Sequence, residues 1–122
     1  MKINASKPEG FFKSQLEKKI YKKIKSEIGD KNIDIKINQR GVLKRNKNLE
    51  LDLYFPQFNL GVEIQGPIHT SDITNIIADY KKKKIYQNEG IDIMYIYTNN
   101  YKNLKFGIKQ CISNITSRYH EN

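Results

Sequence analysis

Tryptophan is absent from this 122-residue chain and cysteine occurs once. A single thiol excludes an internal disulfide and any cysteine-cluster zinc site, so nothing requires an oxidising compartment. Cys111 lies among apolar residues at helical spacing and reads as a core residue. No apolar run is long enough to span a bilayer, and the opening MKINASKPEG lacks the apolar stretch of a signal peptide. The expectation is a soluble cytoplasmic protein with no membrane partner. Acidic residues are also scarce, 13 against 22 Lys and Arg, which leaves a formal charge of +9. Such an excess favours an anionic partner, nucleic acid before a membrane surface. An AT-rich coding sequence would enrich Lys, Asn and Ile in the same way, so charge alone decides nothing.

The length suits one domain with a core of modest size, and no linker, repeat or second domain stands out. Phe12, Leu16, Ile20, Ile24 and Ile28 recur every four residues and predict a helix closed by Gly29. Lys18, Lys19, Lys22, Lys23 and Lys25 cover the rest of its surface. Ile33, Ile35 and Ile37 alternate with polar residues as in a half-buried strand, and residues 39–48 read as an exposed basic loop carrying Arg40, Lys44, Arg45 and Lys47. Leu49, Leu51, Leu53 and Phe55 mark a second strand, residues 56–59 a turn, and Leu60, Val62 and Ile64 a third strand.

Asp72 is a candidate N-cap for a helix running to about residue 88, with Ile73, Ile76, Ile77, Tyr80 and Ile85 as its buried stripe. Residues 91–97, IDIMYIY, have the β-branched and aromatic content of a central strand. Leu104, Ile108, Cys111, Ile112, Ile115 and Tyr119 mark a last helix over about 101–119. The order is α-β-β-β-α-β-α. A helix between the third and fourth strands lets them run parallel, so an α/β (α+β) fold is expected, a mixed four-stranded sheet with helices on both faces.

The second and third strands most easily pair as a hairpin, which puts Asp52 and Glu63 together on its polar face. Carboxylates facing one another repel unless a cation sits between them. Mg²⁺ suits that place, because it takes oxygen ligands and leaves positions to water and substrate phosphate. The ligands would be Asp52 and Glu63 with the backbone carbonyl of Ile64; two solvated carboxylates on an exposed face are the plain alternative. His69, just past Gly66 and Pro67, is placed to fold back and exchange a proton near neutral pH.

These residues resemble a known family. LELDLYFPQFNLGVEIQG, residues 49–66, is similar to the hairpin of the PD-(D/E)XK nucleases, which carries Asp on one strand and Glu-x-Lys, or sometimes Glu-x-Gln, on the next. The resemblance implies a restriction-endonuclease-like fold over about residues 11–98 and hydrolysis of phosphodiester bonds in DNA. Asp52 and Glu63 take the metal positions, for Mg²⁺ with Mn²⁺ as a substitute, and Gln65 stands where Lys is commonest. Glu17 matches an acidic residue of the opening helix. The branch that includes very-short-patch repair and phage-type homing endonucleases is nearest, with His69 in the place of its catalytic His and Asp79 in the place of the Asp that supports it. One cysteine cannot rebuild the zinc site of the mismatch enzymes, and Gln65 cannot carry a positive charge.

VEIQGPIHT and the later DYKKKKIYQNEGIDIMYI also resemble the RAP domain, a derivative of the same fold in organellar RNA-binding proteins. That resemblance implies a non-catalytic RNA-binding module or a small basic subunit of an RNA–protein assembly. Lys81, Lys82, Lys83 and Lys84, with Arg40, Lys44, Arg45 and Lys47, are expected to hold a nucleic-acid backbone, DNA ahead of RNA. Four consecutive lysines wrap around a helix, so not all four can face one backbone. A chain this small cutting both strands would most simply be a symmetric homodimer.

Overall fold

The periodicities are realised in a computed structural model that describes residues 14–29, 31–43, 47–66 and 73–121. Helix α1 (Gln15–Ile28) starts where the Ser14 hydroxyl accepts a hydrogen bond from the Glu17 amide, and it stops at Gly29, whose φ of 64° suits glycine. Ile20, Ile24 and Ile28 are buried; Leu16, one turn earlier, is partly exposed, and Phe12 lies outside the described residues.

Strands β1 (Lys36–Arg40), β2 (Glu50–Phe55), β3 (Leu60–Gln65) and β4 (Asp92–Tyr97) form one sheet in sequence order. The first two pairings are antiparallel and β3 runs parallel to β4. A short 3₁₀ turn, Pro56–Phe58, and Asn59 at φ 49° connect β2 to β3. Helix α2 (Ile73–Asn88) makes the crossover between the parallel strands, and helix α3 (Tyr101–Glu121) follows β4. The mixed sheet, its helical flanks and the element order are those expected from the sequence.

Two boundaries differ. Ile33 and Ile35 are buried in an extended lead ahead of β1, not paired within it. Pairing starts at Lys36↔Tyr54 because β2 ends at Phe55, before a proline that cannot continue a ladder. Gln57 clips the lead instead: its amide accepts from the Asp34 backbone N–H at 2.8 Å and donates to the Asn32 carbonyl at 2.8 Å. Gln39 and Arg40, expected in a loop, extend β1.

Each sheet face has its own core. Helices α1 and α3 cover Ile37, Leu53, Phe55, Leu60, Val62 and Ile96. The opposite face packs Leu51 and Ile93 with Ile91, Leu43 and Tyr86 of α2. Leu51 and Leu53 would share a face of a regular strand. They lie in different cores because β2 turns over at Asp52, opposite Asn38, which has a positive φ of 45°.

Candidate active site

The turnover at Asp52 builds the site. β2 and β3 pair from Phe55↔Leu60 to Leu53↔Val62. The next residues, Asp52 and Glu63, join the strands through side chains: the Asp52 amide donates to Glu63 Oε2 at 2.9 Å, and the Ile64 amide donates to Asp52 Oδ2 at 2.7 Å. The carboxylates thus replace ladder acceptors where the strands diverge, and each is fixed in direction by a backbone N–H. The expected pairing of Asp52 with Glu63 is present in this reciprocal form.

Glu63 points to the α2 side, where Lys82 Nζ donates to its Oε1 and to the Glu50 carbonyl at 2.6 Å. Burial is the largest influence on Glu63 and raises its pKa above the ordinary glutamate value, and the Asp52 carboxylate raises it further. The Lys82 charge and hydrogen bond, with the Asp52 amide, work against that rise without cancelling it. Two phenols share the neighbourhood. Burial, then Glu63 and Glu50, pushes Tyr86 up to about 12, and burial, then Asp79, Glu63 and Tyr97, does the same for Tyr95. Both rings stay protonated at neutral pH, and the Tyr95 hydroxyl donates to the Asp79 carbonyl at 3.1 Å.

The remaining expected site residues are placed as follows. Glu17 is buried on α1, and its Oε1 accepts from Asn38 Nδ2 at 2.7 Å, which brings it to the β1 side of the same turnover. Gln65 is buried at the end of β3, where its carbonyl accepts from the Thr98 amide and hydroxyl, each at 2.9 Å. Asp79 lies half-buried on α2, joined by Tyr95 to the strand row that carries Glu63. Ile64 contributes its amide to Asp52. His69 lies outside the described residues, as do Asp72, Lys44 and Arg45.

The donor chemistry fits an oxygen-seeking divalent cation. Two carboxylates already repel one another, and Glu63 accepts two hydrogen bonds out of about four lone-pair sites. Among the described residues no group of three or more His, Cys, Asp or Glu is arranged to hold a metal.

The basic residues do not share one outward surface. Lys82, expected on the outer surface of the helix, turns inward onto Glu63. Lys83 lies over the Tyr95 ring at 5.7 Å and Lys84 over Tyr80 at 5.9 Å, while Lys81 is exposed. Arg40 donates to the Asn48 carbonyl at 2.9 Å and faces Glu50 at 3.8 Å, closing the β1–β2 connection. Lys47 is exposed in that connection. The stripe expected to bury α2 is also overturned: Ile73, Ile76, Ile77, Tyr80 and Ile85 are exposed. The inward face is Asp79, Lys82, Lys83 and Tyr86, a spacing of three, four and seven that was available in the sequence but is polar for most of its length.

Among curated proteins none matches. Among solved structures, an enzyme described as the 5-hydroxymethylcytosine-specific restriction enzyme AbaSI aligns with TM-score 0.59 and 16% identity, over 88% of this chain and 42% of that one. The likeness establishes a restriction-endonuclease-like fold, and the chain spans less than half the length of that enzyme. Residues 10–114 match the family described as restriction endonuclease PvuRts1 I-like, N-terminal, a span containing every element from α1 to β4 and most of α3, and the chain belongs to that family.

Proposed function

We propose that this chain is a metal-dependent endonuclease domain that hydrolyses phosphodiester bonds in DNA. The observation that carries the reading is the interlocked pair of Asp52 and Glu63 where β2 and β3 diverge, both carboxylates held by backbone amides. Asp52 and Glu63, with the Ile64 carbonyl, would hold Mg²⁺, with Mn²⁺ able to replace it. Bound there, the cation supplies a Lewis acid and an activated water for attack on phosphorus. His69 moves the proton to or from a reacting oxygen, and Asp79 supports it from α2. Gln65 orients water or phosphate by hydrogen bonds, and Glu17 steadies the β1 side through Asn38. The very-short-patch and phage-type homing branch remains the nearest expectation for the His-bearing site.

The family is described by a restriction endonuclease, which favours DNA over RNA. The AbaSI description adds 5-hydroxymethylcytosine as a substrate feature to include. The excess of positive charge would supply sequence-independent grip, and a symmetric pair of chains would allow both strands to be cut. The test is incubation with supercoiled, linear and 5-hydroxymethylcytosine-bearing DNA and with RNA, in Mg²⁺, Mn²⁺ or EDTA. Cleavage of DNA with either metal and none in EDTA is expected. Tight RNA binding without cleavage of any substrate would instead support the RAP-like reading.

A further inference from the structure

A phosphodiester under attack gathers negative charge, and two carboxylates make the surroundings more negative still. Gln65, two residues beyond Glu63 on the same side of β3, is neutral. A cation reaches the pair from elsewhere. Lys82 Nζ is held by the Glu63 carboxylate and the Glu50 carbonyl, its side chain 24% exposed against 9% for that of Glu63. Two of its three N–H groups are accounted for by these acceptors. Desolvation makes a half-buried ion pair a poor source of stability, and a second carboxylate beside it makes the arrangement less stable again. Lys81 and Lys84, its neighbours in the run, project outward.

We propose that Lys82 is the cationic positioning residue of this site: from α2 it holds Glu63 in register with Asp52 and directs its remaining N–H toward the bound phosphate. The proposal rests on the nuclease reading above. Its signature is a pair of opposite effects. Removing the ammonium should slow cleavage while tightening metal binding, because the carboxylates lose the cation that competes for them. A merely structural lysine would weaken both.

The experiment compares the wild-type chain with Lys82→Met, Lys82→Arg and Asp52→Ala. Mn²⁺ binding is measured by calorimetry without DNA, cleavage is measured at saturating Mn²⁺, and folding is checked by thermal melting. For Lys82→Met, cleavage is expected to fall about 100-fold, the scale for losing one preorganised charge-stabilising donor. Mn²⁺ affinity should rise about tenfold as the competing charge goes. Lys82→Arg keeps the charge and should fall between wild type and Lys82→Met in both. Cleavage by Lys82→Met within threefold of wild type, with Asp52→Ala inactive, overturns the proposal and leaves the nuclease reading standing. Unchanged or weaker Mn²⁺ binding by Lys82→Met overturns it whether or not a cleaved substrate is found. Full cleavage by Asp52→Ala sinks the nuclease reading itself.

Discussion

Asp52 joins two strands and sits against a second carboxylate, and those roles pull stability in opposite directions. Its Oδ2 accepts the Ile64 amide, while its charge raises the pKa of buried Glu63. A raised carboxylate pKa means that the fold favours the neutral form. The Glu63 contribution to metal-free stability is therefore fully present below the ordinary glutamate value and is lost as pH rises through the raised one. Asp52→Asn keeps an acceptor for Ile64 and removes the repulsion. At pH 7 it should melt a few degrees higher than wild type, on the order of 1 kcal/mol, with a weaker fall toward high pH. Mn²⁺ should raise the melting temperature of wild type and not of the variant. Tyr86 offers a second check at this scale. Its hydroxyl is buried and makes no hydrogen bond among the described residues. Tyr86→Phe should raise the denaturant midpoint by the equivalent of about 1 kcal/mol with an unchanged slope. Asp52 and Glu63 were legible in the sequence because they are the residues next to the paired Leu53 and Val62 of a short hairpin. Lys82 was not, since nothing in a run of four lysines marks the one that meets Glu63.

Elements were legible where burial and hydrophobicity coincide. The β2–β3 hairpin has apolar residues on the core face and the chemistry between them, so both could be read together. Helix α2 inverts the rule: the side toward the sheet carries Asp79, Lys82 and Lys83 before Tyr86, and its isoleucines face outward. A helix that covers an ionic site has polar residues on its buried side, and an apolar stripe then gives the wrong phase. The lead to β1 shows a related effect, because the burial of Ile33 and Ile35 was visible while their pairing depended on where Pro56 ended the neighbouring strand. Packing of α3 supplies the prediction for this scale. A Cβ on Gly107 would lie 3.0 Å from Ile96 Cγ2 and 3.1 Å from Ile96 Cα, so helix or strand backbone must shift. Alanine gains about 1 kcal/mol of helix propensity, and overpacking costs about 1–3 kcal/mol. Gly107→Ala should thus lower the melting temperature; a rise would mean that α3 is not seated on β4 at this residue.

Across the whole molecule, the two cores hold the site between them. α1 and α3 back one sheet face and bring Glu17, while α2 backs the other and brings Lys82 and Asp79. Arg118 ties the end of α3 to the far side, donating to the Phe58 carbonyl at 3.1 Å and to Asp92 at 2.7 Å. The excess of nine positive charges predicts sequence-independent binding to DNA that weakens with salt. For about six phosphate contacts, affinity should fall about 10³-fold between 50 and 200 mM salt in a titration, and a flat response would remove the phosphate backbone as the main contact. Among the described residues no helix is long and apolar enough to cross a membrane. The central claim is that Asp52 and Glu63 make one metal-dependent hydrolytic site. Its most direct test is the rate of DNA cleavage in Mn²⁺ by wild type, Asp52→Ala and Glu63→Ala, with binding measured on the same DNA. The account predicts losses of about 10³-fold or more in both variants with DNA affinity retained, and cleavage that survives either substitution would contradict it.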